Sequence, residues 1–165
     1  MSKEKLLDRI EEIKTHLFTF DTKMHSKHGT VAGIFASYAL SRDENGSINR
    51  RGFLNENLTY CRRPIPLLYE HDYNMVIGFV TDIWELQTGL FVRADFLSTR
   101  DAQKIRSLTL MGSVSQFSFG FLEYEAEDTM LPDGSMARAT LEAELLEISL
   151  TETPAQPRSV VIDVT

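Results

Sequence analysis

The sequence predicts a mainly β domain with flanking helices (α+β), folded as a small closed β-barrel or a strongly curved sheet. Three observations carry this. Six or seven segments have strand character, whereas only two show helical signals. Turn signals such as DENGS, QTG and LPDGS separate several of the segments. A chain of 165 residues fits one domain with a real core, and many strands with few helices pack naturally as a barrel with covering helices.

Taken in order, Leu6, Leu7, Ile10, Ile13 and Leu17 recur at helical spacing with charges between them. With Ser2 as cap they predict an amphipathic helix from about Lys3 to Phe18 within an N-terminal segment 1–20. Its apolar stripe suits covering an open end of the domain or binding a partner. TKMHSKHG reads as a loop, and the barrel domain is expected over residues 29–165. TVAGIFASYAL has strand character, and PLLYEHD is an extended apolar run ending in charge. MVIGFVTDIWEL and GLFVRADFL read as two strands joined at QTG. STRD at residues 98–101 has the form of a capping box, opening a helix through AQKIRSLTL that Gly112 ends. VSQFSFGFLEYEAE and MARATLEAELLEISL are strands around the LPDGS turn, and SVVIDV adds a short edge strand after Pro154 and Pro157.

Composition narrows the function. The formal net charge is −7, from 17 Lys and Arg against 24 Asp and Glu. The basic residues are scattered, which speaks against direct nucleic-acid binding, since neutralising phosphates takes clustered cations. No apolar run approaches a membrane span, and the charged N-terminus lacks a signal-peptide core, so a cytoplasmic location is expected. One cysteine, Cys61, allows neither an internal disulfide nor a cysteine-rich metal site. No cofactor or metal is expected; His25 and His28 in one loop are too few ligands to signal a metal site.

Three residues stand out. In SQFSFGF, alternation puts Phe117, Phe119 and Phe121 on a core face and Gln116, Ser118 and Gly120 on the other. Ser118 is then rigidly backed with open space beside it, and Gly120 marks a close approach by a backbone or a ligand. Spacing alone favours the plainer reading, a small residue accommodating a neighbouring strand. His71 is the one histidine embedded in core sequence, placed to act as a general base or to be satisfied by a backbone carbonyl. Glu147 lies in LLEISL, where both faces look buried; parity puts it with Leu141 and Leu145, opposite Leu146, Ile148 and Leu150. A buried carboxylate needs a donor or a cation, and a histidine ring N–H suits it. Serine, histidine and carboxylate from three strands make a possible serine hydrolase, though spacing does not bring them together.

From Val31 to Pro157 the chain resembles the prohead (maturation) serine proteases of tailed bacteriophages, relatives of the herpesvirus assemblins. PLLYEHD, IGFV, GLFVRADF, VSQFSFGF and LLEISLTETPAQP match that family's motifs in order. RDENGSINRRGF resembles its opening segment, except that Arg51-Gly52-Phe53 lacks the small residue after the glycine. The resemblance implies a small closed β-barrel of the herpesvirus-protease type, with Ser118 as nucleophile, His71 as general base and Glu147 orienting His71. The herpesvirus branch uses a second histidine in the third role, and no histidine follows His71 here. Asp72 and Asp82 are competitors for that role. Ser115 should point away with the phenylalanines, while Ser113 shares the region and Ser149 reads as structural.

The resemblance further implies cleavage of phage scaffold and major capsid protein inside the immature capsid (prohead) in the host cytoplasm, with self-cleavage and self-association. The N-terminal helix is then a candidate dimer contact, assembly tag or removable segment. The principal alternative keeps the fold without the chemistry, as an inactive scaffold or capsid-associated protein. A cysteine hydrolase using Cys61 beside Arg62 and Arg63 with His71 is a weaker rival, and nothing specific favours a small-molecule-binding barrel.

Overall fold

The structure is a computed structural model that describes residues 27–38, 47–54, 64–153 and 159–165. The expected N-terminal helix, most of the DENGS turn, His25 and Cys61 lie outside the described residues. The described residues form eight strands and one helix: β1 Thr30–Ser37, β2 Ser47–Asn49, β3 Pro66–Tyr69, β4 Asp72–Glu85, β5 Gly89–Phe96, α1 Arg100–Leu110, β6 Gln116–Met130, β7 Met136–Thr151 and β8 Val160–Val164.

All eight strands join one sheet in the order β2-β7-β3-β4-β5-β1-β8, with β6 paired to β7. The long antiparallel hairpin β6–β7 forms one side. Along its other edge β7 takes two short parallel partners, β2 at residues 138–140 and β3 at residues 148–150. Register shifts interrupt most of the ladders, and such bulges bend and twist a sheet. The sheet therefore wraps around a main core, to which Val31, Leu67, Ile77, Leu90, Phe117 and Leu145 contribute from six different strands. No ladder joins β6 to β8 among the described residues, so the expected closed barrel is found as an open sheet. The bond from Val161 N–H to Ser115 O, at 2.9 Å, reaches only the residue before β6.

β1 is buried along its whole length because apolar residues cover both its faces. Val31 and Phe35 enter the main core, while Ala32 and Ile34 pack with Leu86 and Phe91 in a smaller cluster. The helix opens one residue later than STRD predicts: Thr99, not Ser98, is the N-cap, its hydroxyl accepting from Ala102 N–H at 3.3 Å. Asp101 falls in the first turn, where its charge favours the positive end of the helix dipole. Gly112 ends the helix at φ 79°, a left-handed position that glycine takes without a Cβ clash. Gly112 N–H donates to Thr109 O and Ser113 N–H to Leu108 O, which satisfies the last carbonyls in the Schellman pattern.

The β6 phenylalanines behave as alternation predicts. Phe117 is fully buried, and Phe119 and Phe121 pack on the same core. Phe119 meets Phe35 edge-on at 5.4 Å between ring centroids and stacks on Phe121 at 5.3 Å, and Phe53 contacts both. Phe53 is set by the turn at residues 51–54, which a carboxylate on β4 ties down. Glu85 Oε1 accepts from Gly52 N–H at 2.9 Å and from Tyr38 O–H at 2.8 Å. Burial first, and then Glu85, push the Tyr38 hydroxyl well above its ordinary pKa.

Phe117→Ala should lower the unfolding free energy by about 3–5 kcal/mol in urea titrations, the usual cost of emptying a buried phenylalanine site. Because the Tyr38 pKa is raised by folding, its neutral form is the one the fold favours. That contribution is complete below pH 10.0, the ordinary value, and is lost as pH rises above it. Thermal melts from pH 9 upward should show an alkaline loss that Tyr38→Phe reduces.

Candidate active site

β3 and β4 are joined by a two-residue turn, with Tyr69 paired to Asp72 and only Glu70 and His71 between them. Both central residues have positive φ, 52° and 59°, the φ pattern of a type I′ hairpin turn. That turn favours Asn-Gly; for residues with larger side chains each left-handed position costs about 1–2 kcal/mol. The cost is offset by neighbours. Glu70 N–H donates to Leu150 O at 3.0 Å, and the Glu70 carboxylate accepts from Thr151 O–H at 2.9 Å and Glu152 N–H at 2.8 Å. His71 N–H donates to Ser149 Oγ at 3.2 Å. His71 thus belongs to a tight turn clamped onto the end of β7, rather than to the end of a buried strand as PLLYEHD suggests.

The turn aims the imidazole between β6 and β7. His71 Nε2 lies 2.9 Å from Ser118 Oγ, and Nδ1 lies 2.6 Å from Glu147 Oε1. An ionised carboxylate only accepts hydrogen bonds, so Nδ1 carries the ring proton toward Glu147. Nε2 is then left with its lone pair toward the Ser118 hydroxyl. The serine, histidine and glutamate singled out in the sequence are therefore brought together in one chain of hydrogen bonds.

Each position has a local cause. Ser118 sits on β6 opposite Ser149, and Gly120 sits opposite Glu147. The register slips between Gly120 and Phe121, whose partner is Leu145, so Leu146 has no opposite residue in the ladder. This bulge corrects the parity reading. Leu145 enters the main core with Ile148 and Leu150, whereas Glu147 turns to the other face with Ser149. Gly120 is required for that: a Cβ there would stand 2.6 Å from Glu147 Oε1 and 3.2 Å from its Cγ. The close approach that the glycine marks is made by a carboxylate.

Glu147 is 2 % exposed and Ser118 4 % exposed, whereas the His71 side chain is 46 % exposed. The space expected beside Ser118 is largely filled, and the histidine forms the open side of the cluster. Ser149 reads as structural in the sequence, yet it belongs to this network: fully buried, it donates to Glu147 Oε2 at 2.6 Å. The Glu-x-Ser spacing within one strand is the signal that links the two. Ser115 and Ser113 are exposed and precede β6. Of the competitors for the acidic role, Asp72 accepts from Asn74, and Asp82 lies opposite Arg93 in the β4–β5 ladder. Among the described residues, no group of three His, Cys, Asp or Glu side chains is arranged to hold a metal ion.

Solved structures share this fold. The capsid assembly protease gp21 of bacteriophage T4 is similar over 74 % of this chain and 80 % of its own, at 15 % identity and TM-score 0.56. The Kaposi's sarcoma-associated herpesvirus protease bound to a hexapeptide phosphonate inhibitor has TM-score 0.56 at 12 % identity, covering 83 % of this chain. The varicella-zoster virus protease has TM-score 0.51 at 18 % identity, covering 82 % of this chain. The chain spans 65 % and 63 % of the length of those two herpesvirus enzymes. At such identities the likeness is one of fold. No curated protein sequence matches the chain. The family model for caudovirus prohead serine proteases matches residues 18–165, nearly the whole sequence, and the chain belongs to that family.

Proposed function

We propose that this chain is a prohead maturation serine endopeptidase that cleaves scaffold and major capsid proteins, and itself, within the immature capsid in the host cell. The observation that carries this reading is the run Ser118 Oγ–His71 Nε2 and His71 Nδ1–Glu147 Oε1, at 2.9 and 2.6 Å, in a member of a serine protease family. In this reading residues 29–165 form the protease domain and residues 1–20 are a segment appended to it.

His71 Nε2 takes the Ser118 proton as Oγ attacks the scissile carbonyl carbon. Glu147 holds the ring in the right tautomer and favours the imidazolium that forms. The tetrahedral adduct collapses as His71 returns that proton to the leaving amine, giving an acyl-enzyme. A water activated by His71 then hydrolyses the ester and frees Ser118. Enclosure in a shell presents the scaffold and capsid chains at high effective concentration, so modest intrinsic activity suffices.

The rival reading is a structural protein that keeps the fold without turnover, and the 4 % exposure of Ser118 favours it. Co-expression with the cognate scaffold and major capsid proteins separates the two, with intact-mass spectrometry reading every chain terminus. Fragments made by the wild type and absent with Ser118→Ala support the protease. Shells that assemble uncut with both would sink it. Glu147→Gln should lower kcat on the order of 10⁴-fold, because an amide no longer enforces the Nδ1–H tautomer. Gly120→Ala should also abolish most activity while leaving the circular dichroism spectrum unchanged, since its methyl group displaces a carboxylate rather than the backbone. Full activity in Gly120→Ala would show that the position of Glu147 is immaterial.

A further inference from the structure

We propose that Ser149 is a positioning residue for this site, a reading that rests on the proposed hydrolytic function. Its backbone is paired on both sides, to Ser118 on β6 and to Leu68 on β3, so its hydroxyl has a fixed origin. The residue is fully buried. A serine hydroxyl offers one donor and two acceptor sites. The donor goes to Glu147 Oε2 at 2.6 Å, and the oxygen accepts His71 N–H at 3.2 Å. The same glutamate receives the His71 ring through Oε1 at 2.6 Å. Ser149, Glu147 and His71 therefore close a loop in which His71 is held twice, once by its backbone and once by its imidazole.

This arrangement does two things that packing alone does not. With Oε2 occupied by the serine, the carboxylate plane is locked so that Oε1 faces Nδ1. The hydroxyl also draws off part of the carboxylate's negative charge, which tempers its pull on the ring proton. Without it the carboxylate holds that proton more tightly, and the imidazole becomes harder to deprotonate. Removing the hydroxyl should therefore move the histidine titration to higher pH, together with the acid limb of the pH–rate profile.

The test compares the wild-type chain with Ser149→Ala and Ser149→Thr, using two readouts. One is the titration of the His71 ring by ¹H–¹⁵N NMR, which does not depend on turnover. The other is the pH profile of cleavage of a capsid-derived peptide. Ser149→Ala should raise the midpoint of the ring titration and lower kcat about 10- to 100-fold with KM little changed, the usual effect of removing an orienting partner. Ser149→Thr keeps the hydroxyl and should stay close to wild type in both. If Ser149→Ala does not fold, Ser149→Cys preserves the volume with a poor donor and should shift the titration in the same direction. An unmoved His71 titration in a folded Ala or Cys variant overturns the proposal, whatever the activity. If the wild type cleaves nothing, the protease reading falls, while a raised titration in the variants still establishes the positioning role.

Discussion

A carboxylate placed inside an apolar sheet must be answered by hydrogen-bond donors, and that requirement organises this molecule around Glu147. At 2 % exposure its charge has little access to water, and an unpaired buried charge costs several kcal/mol. The fold supplies a ring N–H from His71 and a hydroxyl from Ser149, one for each oxygen. The bulge at Leu146 turns Glu147 to the correct face, and Gly120 clears the volume it occupies. The left-handed turn at Glu70 and His71 is the remaining part of the same arrangement.

Support runs outward from there. Ser118 is held by the phenylalanines beside it, which point the opposite way and lock β6 against Phe35 and Phe53. Phe53 depends on a turn that Glu85 ties to β4. The Arg51-Gly52-Phe53 segment thus keeps its phenylalanine in contact with the strand that carries Ser118. The Arg51 side chain lies toward Glu85, 3.8 Å distant.

Much of this is legible in the sequence because it rests on short-range rules. Alternation found the core face of Phe117, Phe119 and Phe121, and the same rule isolated Ser118. Turn composition placed the β4–β5 and β6–β7 hairpins. Burial of a carboxylate among leucines marked Glu147 as needing a partner. What alternation misses is the point where it breaks: one bulge at Leu146 reverses the assignment of Leu145, and nothing in LLEISL announces it. Glu70-His71 is equally silent, since it lacks the Asn and Gly that signal a type I′ turn, and its conformation is imposed by contacts with β7. The Ser149 bonds require strand pairing to become visible. The STRD helix start, one residue out, shows how closely Ser98 and Thr99 compete as caps.

The β3–β7 pairing has a kinetic meaning. Ser118 and Glu147 belong to one hairpin, whose strands meet through contacts that zip up from a single turn. His71 is brought to them by the parallel ladder of β3 on β7, which joins Leu67 to Ile148 and Tyr69 to Leu150 across a long stretch of chain. Closing so large a loop is entropically costly, and such contacts tend to form late in folding. Until β3 is docked, the hairpin holds Ser118 and Glu147 with no imidazole to bridge them. Docking of one short strand on β7 is thus what completes the hydrogen-bonded chain of Ser118, His71 and Glu147.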